Sequence, residues 1–204
     1  MKRKEHLVKN ALILFAITLV AGLALSFVYS LTKEPIAKAA DDAKQKAYQE
    51  VYPDVSFEPV EEAENLLATV NDTFLNDRVK EGGVSLKRVT VSEILRAVDK
   101  DGAAVGYVAS LSTTSGYNGE ITAAVGVDAD GALTGFTVLS HSETAGLGAK
   151  CSDKEYQKTF VGLRSAANMD MISGATFTST ALKELCGAAL YVAREAESGV
   201  TVDV

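Results

Sequence analysis

The chain has 204 residues, of which 47% are apolar. This is enough for a membrane anchor and one domain with a packed core, and it excludes a disordered chain. The formal net charge of −7 argues against a nucleic-acid partner, which would need a basic surface. The two histidines and two cysteines have no metal-ligand spacing, so we expect no protein-bound metal ion.

The N-terminal 31 residues have the pattern of a membrane anchor. Residues 1–10 are basic, and residues 11–31 contain no charged side chain. A transmembrane helix needs about 20 apolar residues, so residues 11–31 are predicted to span a cell membrane once and to end at Lys33-Glu34-Pro35. Basic residues favour the cytoplasmic side, so we expect the rest of the chain to lie outside the cytoplasm. A cleaved signal peptide is the alternative, although its apolar core is usually only about 7–15 residues long.

The next part of the chain carries weaker patterns. Residues 36–52 are rich in alanine, lysine and glutamine, which favour a helix. Residues 54–85 are uninformative apart from a predicted turn at Gly82-Gly83. The predicted organisation is a cytoplasmic N-terminus (1–10), a transmembrane helix (11–31), a membrane-proximal helix and connecting region (32–85), and one folded domain (86–204).

The folded domain begins with a series of predicted strands. They cover residues 86–98, 103–110, 120–127 and 132–139. Tight turns at Asp101-Gly102 and at residues 128–131 favour antiparallel pairing. Residues 92–97 have a helical turn as an alternative, and the Ser/Thr/Gly-rich residues 112–119 are predicted to form a loop. The expected fold class is α+β, with a largely antiparallel sheet and flanking helices.

The most informative stretch is DMISGATFTST at residues 170–180, which precedes a predicted helix. Serine and threonine before a periodic apolar run are typical helix N-caps, so Thr178, Ser179 and Thr180 are expected to cap this helix. A helix N-terminus favours phosphate, and Gly174 allows backbone to approach a ligand closely. The pattern predicts an anion site, although many helices that bind nothing begin in the same way. The apolar positions with helical spacing are Leu182, Leu185, Cys186 and Ala189.

This stretch also resembles a known motif. Asp170-x-x-Ser173-Gly174-Ala175-Thr176 is similar to the flavinylation motif of FMN-binding domains in the Rnf and Na⁺-translocating NADH:quinone oxidoreductase complexes. In that family, the threonine that closes the motif carries FMN through a phosphoester bond, which a flavin transferase makes from FAD. The resemblance implies that Thr176 is the modified residue. Ser173, Gly174 and the N–H groups near Thr178–Thr180 are expected to surround the FMN phosphate, and Ala175 belongs to the same implied site. Asp170 is expected to be recognised by the transferase or to position the acceptor.

A second loop resembles the same family. Residues 140–150, SHSETAGLGAK, are similar to a Glu-Thr-Pro-Gly-Leu-Gly loop that helps to surround the flavin there, with Ala145 in place of the usual proline. The sequences Gly116-Tyr117-x-Gly119 and Val125-Gly126-Val127 extend the resemblance over most of residues 100–190. The flavin contacts implied by this loop are Glu143, Thr144, Gly146, Leu147 and Gly148.

The resemblance implies a function in electron transfer. Within the family, the chain is most similar to the G subunit of an Rnf-type complex, which couples electron flow between ferredoxin and NAD to ion movement. Such a subunit is a redox relay in a translocase and is not catalytic alone. The implied partners are the membrane, other subunits of the complex and, during maturation, the flavin transferase.

Two other functions stay open at this point. One is the C subunit of the Na⁺-translocating NADH:quinone oxidoreductase, and the other is a membrane-anchored binding module without a redox role. The sequence also leaves open whether Cys151 and Cys186, both on the exterior side of the predicted topology, form a disulfide.

Overall fold

The computed structural model describes residues 2–198, with side chains from Lys9 onward. Its first element is a continuous helix, α1 (Lys2–Val51). The apolar part of α1 is long and apolar enough to cross a membrane. The helix itself does not end at Pro35, which lies inside it. Proline removes one backbone hydrogen bond, but the good helix formers after it continue the helix to Val51.

The chain forms two compact units, Met1–Ala43 and Lys44–Val204. The second unit therefore includes the last two turns of α1. After α1 come a short strand, β1 (Ser56–Pro59), and a helix, α2 (Ala63–Leu75). A small hairpin of β2 (Lys80–Glu81) and β3 (Val84–Ser85) follows, with the predicted turn at Gly82-Gly83 between its strands.

The main sheet confirms the predicted strands and their antiparallel pairing. Its strand order is β1-β4-β5-β6-β7, and every neighbouring pair is antiparallel. The four long strands are β4 (Val89–Val98), β5 (Ala104–Gly116), β6 (Gly119–Asp128) and β7 (Leu133–Ser140). Residues 92–97 belong to β4, as the strand prediction has it, and do not form the alternative helical turn. The expected loop at 112–119 is wrong, because most of it belongs to β5.

The extension of β5 has a physical reason. Thr113 pairs with Ile121 of β6. Its hydroxyl is buried, and it donates a hydrogen bond to Glu184 (2.7 Å). A hydroxyl with a buried acceptor can occupy an interior strand position without losing a hydrogen bond. Composition alone favoured a loop because it does not show such a partner.

One face of the sheet is covered by the C-terminal helix, α4 (Thr176–Ser198), which packs across β5 and β6. Between β7 and α4 lie a 3₁₀ turn (Gly148–Ser152), the short helix α3 (Lys154–Lys158) and a second 3₁₀ turn (Ala166–Asn168). The apolar positions predicted to face the core of the domain are all fully buried, namely Leu182, Leu185, Cys186 and Ala189.

The opposite face of the sheet is covered by the end of α1. A Cβ atom on Gly135 would lie 2.6 Å from the Cα of Val51, so the helix packs directly on glycine backbone. Thr134 Oγ1 donates to the carbonyl of Val51 (2.7 Å), which otherwise lacks an intrahelical partner. Tyr48 is fully buried here and donates to Glu93 of β4. The central strands are therefore buried on both faces.

Candidate functional site

The motif loop at residues 170–175 is fixed by hydrogen bonds from two side chains. Ser179 Oγ accepts from the N–H of Ile172 (2.8 Å) and donates to the carbonyl of Ala175 (2.9 Å). The hydroxyl of Tyr156 donates to the carbonyl of Asp170 (2.8 Å). Burial raises the pKa of Tyr156 to about 12, so this hydroxyl keeps its proton at neutral pH. The loop backbone is held in one shape while the Asp170 side chain stays exposed.

Helix α4 begins at Thr176, earlier than the capping pattern predicts. The expectation that Thr178, Ser179 and Thr180 are N-caps is wrong, because all three lie inside the helix. The carbonyl of Ala175 accepts the first intrahelical bond, from the N–H of Ser179 (3.0 Å). Alanine has the cap position but no side-chain oxygen, so it cannot satisfy the free N–H groups.

The start of α4 fits an anionic group such as a phosphate. Within the described part of the chain, the N–H groups of Thr176, Phe177 and Thr178 have no hydrogen-bond acceptor. The preceding Gly174 has φ of 77°, a left-handed conformation that glycine adopts without strain. A Cβ atom added there would contact only Leu147, at 3.6 Å, so there is space beside the Gly174 backbone.

The four hydroxyl side chains of the motif differ in exposure. Thr176 is exposed, whereas Thr178 and Ser179 are each 1% exposed and Thr180 is half-buried. Thr178 donates its hydroxyl hydrogen to Glu143, and Ser179 binds the loop backbone. Among these four, Thr176 therefore has a hydroxyl that an external enzyme can reach in the folded protein.

The second predicted loop lies beside the start of α4. Glu143 is buried, and both of its carboxylate oxygens are bonded within the protein: Oε1 accepts from the N–H of Asn118 (3.0 Å), and Oε2 accepts from Thr178. A Cβ atom on Gly148 would lie 2.5 Å from Glu143 Oε2 and from Thr178 Oγ1. Gly148 is needed for this close contact. Thr144 and Gly146 are exposed.

Three exposed apolar side chains surround the start of α4, and we call them the apolar rim: Tyr117, Leu147 and Phe177. The rings of Tyr117 and Phe177 are 6.2 Å apart between centroids, and each side chain is 67% exposed. Leu147 is 48% exposed. Grouped apolar side chains on a surface mark a place where a ligand or partner binds. The sequence analysis did not select Phe177. The positions of α4 that are predicted to face the core nevertheless place residue 177 on the side of the helix that faces solvent.

The two cysteines lie in the core as free, buried thiols. Burial raises the pKa of both thiols, which disfavours the reactive thiolate. In this structure neither takes part in the site at the start of α4.

Two families match the chain. The FMN-binding domain family matches residues 116–191, and the RnfG N-terminal region matches residues 1–51. The first match contains the motif loop, the second loop and the apolar rim. The second match ends at the last residue of α1.

Curated relatives match along most of the chain. The G subunit of the Na⁺-translocating ferredoxin:NAD⁺ oxidoreductase complex of Acetobacterium woodii is 28% identical over 200 residues, 96% of this chain and 89% of the relative. The G subunit of the ion-translocating oxidoreductase complex of Methanosarcina acetivorans is 29% identical over 206 residues, 96% of this chain and 99% of the relative. The corresponding protein of Aliivibrio fischeri is 25% identical over 189 residues, 85% of this chain and 84% of the relative. With a membrane-type helix at its N-terminus and an FMN-binding domain after it, the chain is similar along most of its length to the G subunits of Rnf-type complexes.

Proposed function

We propose that this protein is the membrane-anchored electron-transfer subunit of an Rnf-type ion-translocating complex and that it carries FMN as a phosphoester of Thr176. The observation that carries the proposal is the exposed hydroxyl of Thr176 at a helix start with three free N–H groups. The names of the relatives support membership of a multi-subunit complex and favour the G subunit over the C subunit of an NADH:quinone oxidoreductase.

The residues around Thr176 have separate proposed roles. The backbone of Ser173, Gly174 and Ala175, with the free N–H groups up to Thr178, would hold the FMN phosphate, because anions bind well at a helix N-terminus. The apolar rim, with Thr144 and Gly146 beside it, would receive the flavin ring. FMN accepts and donates one or two electrons, so the loaded domain relays electrons between other carriers. The protein tunes that chemistry through contacts and local charge.

Attachment requires a second enzyme. The Thr176 hydroxyl is an ordinary alcohol and a weak nucleophile at neutral pH. In a flavin transferase, its oxygen would attack the FMN-side phosphorus of FAD. The new P–O bond forms as the pyrophosphate bond breaks, AMP leaves, and the hydroxyl proton passes to a base of the transferase. A divalent metal in the transferase would polarise the pyrophosphate. Asp170 is exposed beside the acceptor and is proposed to be recognised by the transferase or to orient the acceptor.

The experiment is intact mass measurement of the protein purified from membranes after co-expression with the transferase. The wild-type chain should gain the mass of one FMN less one water and give a fluorescent band on a denaturing gel. Thr176→Val keeps the side-chain shape and removes the nucleophile, so both signals should disappear. Thr180→Val is the matched control and should keep both. Covalent flavin on the Thr176→Val protein would overturn the assignment, and a colourless wild-type protein would favour a non-redox binding module.

A further inference from the structure

Glu143 joins three separate segments of the site. Its own loop follows β7, Asn118 lies in the turn between β5 and β6, and Thr178 lies in the first turn of α4. The carboxylate accepts one hydrogen bond from each of the other two segments. The Asn118 side chain also binds the loop that carries Glu143: its Nδ2 donates to the carbonyl of Ser142 (3.0 Å) and to Thr144 Oγ1 (3.2 Å).

Three residues that touch the Glu143 carboxylate are chain neighbours of the apolar rim. Asn118 follows Tyr117, and Thr178 follows Phe177. Gly148, whose backbone packs against the carboxylate, follows Leu147. The three rim side chains therefore project from backbone that converges on one carboxylate.

This carboxylate is buried without a cation. Among the side chains that the structure describes, no ion pair includes Glu143. Its side chain is 8% exposed. Burial of a charged group is unfavourable unless hydrogen bonds compensate for the lost water. Here both oxygens have protein donors, so neither needs a ligand as a partner.

We propose that Glu143 is a positioning residue: it holds Tyr117, Leu147 and Phe177 in the arrangement that receives the flavin ring, and it does not contact the flavin itself. This inference rests on the proposed function. It replaces the direct flavin contact that the sequence resemblance implied for Glu143. The positioning depends on the two hydrogen bonds and not on the negative charge of Glu143, since a neutral group of the same shape can make both bonds.

Two substitutions separate hydrogen bonding from charge. In Glu143→Gln, the amide oxygen can accept from the N–H of Asn118 and the amide NH₂ can donate to the Thr178 hydroxyl, so the three segments stay joined. In Glu143→Leu, both bonds are lost at similar volume. Glu184→Leu is the matched control, because Glu184 is also 8% exposed and accepts from a threonine hydroxyl, but it joins α4 to β5 away from the rim.

The first readout does not need the flavin. Hydrogen exchange is measured on Thr176→Val protein, which cannot be loaded, with each further substitution added. We expect faster exchange at the N–H of Asn118 with Glu143→Leu, because that N–H loses its acceptor. Glu143→Gln should keep the slow exchange, as should Glu184→Leu. Slow exchange at Asn118 in the Glu143→Leu protein would overturn the proposal.

The second readout uses the loaded full chain. A flavin ring against Tyr117 has quenched fluorescence, so Glu143→Leu should give brighter flavin emission per covalently bound FMN, whereas Glu143→Gln and Glu184→Leu should match the wild type. Unchanged emission with Glu143→Leu would overturn the proposal, and so would equal emission from the Glu143→Gln and Glu143→Leu proteins.

If Glu143→Leu does not fold, Thr178→Val decides instead. That substitution removes one of the two bonds and should raise emission, and unchanged emission would overturn the proposal. Absence of covalent FMN from the wild-type chain is a different result, because it rejects the proposed function itself.

Discussion

Ser179 shows how one hydroxyl supports the site without facing it. Its side chain is 1% exposed and joins the N–H of Ile172 to the carbonyl of Ala175. It therefore closes the motif loop onto the first turn of α4. The sequence pattern predicted a cap for this residue because serine before an apolar run usually has that role. The observed role depends on how the loop folds back over the helix, which no local pattern contains.

We predict that Ser179→Ala lowers the free energy of unfolding by about 1–3 kcal/mol, since it leaves the buried N–H of Ile172 without an acceptor. Denaturant unfolding followed by circular dichroism measures this change. Ser173→Ala is the control in the same loop, because Ser173 is exposed and an exposed substitution usually changes stability by less than about 0.5 kcal/mol. Equal stability of the two variants would show that the Ser179 bonds do not hold the loop.

At the scale of elements, the end of α1 is part of the folded domain. Tyr48 and Val51 are 0% and 1% exposed, and they pack on the sheet face opposite α4. Lys44 forms an ion pair with Glu93 (2.9 Å), to which Tyr48 also donates a hydrogen bond. These contacts fasten the last two turns of the helix to β4 and to the β6–β7 surface.

The attachment of α1 should weaken in acid. Burial raises the pKa of Glu93, but hydrogen bonds from Tyr48 and Lys44 and the charge of Lys44 outweigh it, so the pKa is lowered from 4.5. A lowered pKa in the folded state gives stability that is present above the ordinary carboxyl pKa and is lost as the pH falls through the folded value. Glu93→Gln should therefore be less stable than the wild type near neutral pH. The difference should shrink below pH 4.5.

Thermal unfolding at a series of pH values measures this difference. Glu58→Gln on the edge strand β1 is the control, since Glu58 is exposed and should show no such pattern. If the stability difference between Glu93→Gln and the wild type stays constant down to acid pH, the carboxylate charge does not contribute to the attachment of α1.

The sequence predicts the elements that local interactions determine, and it does not predict those that depend on contacts between distant parts of the chain. The strands from 86 to 139 follow from the short turns between them, and the buried face of α4 follows from its helical spacing. The elements between 54 and 85 depend on contacts with β4 and α4. The packing of Val51 on Gly135 is likewise a tertiary contact. Within the site, resemblance selected the two loops, but the bonds of Glu143 to Asn118 and Thr178 require the folded chain.

For the whole molecule, permanent attachment of FMN suits a domain outside the cytoplasm. A dissociated FMN would be lost there, because FMN is made inside the cell, and a phosphoester bond prevents that loss. Attachment to Thr176 and the location of the domain are therefore linked proposals. The second of them depends on the direction in which α1 crosses the membrane.

The last prediction concerns this direction. The apolar stretch of α1 is preceded by four basic residues, Lys2, Arg3, Lys4 and Lys9, and is followed closely by Lys33 and Lys38 alone. Because basic residues close to a membrane span favour the cytoplasmic side, the N-terminus should lie in the cytoplasm and the FMN-binding domain outside it. A reporter enzyme that is active only outside the cytoplasm should be active when fused after residue 204 and inactive when fused after residue 9. A fluorescent protein that folds only in the cytoplasm should give the reverse pattern. Cytoplasmic reporter activity after residue 204 would place the flavin domain on the inner side, where a dissociated FMN could be replaced and a covalent bond would no longer be needed to retain it.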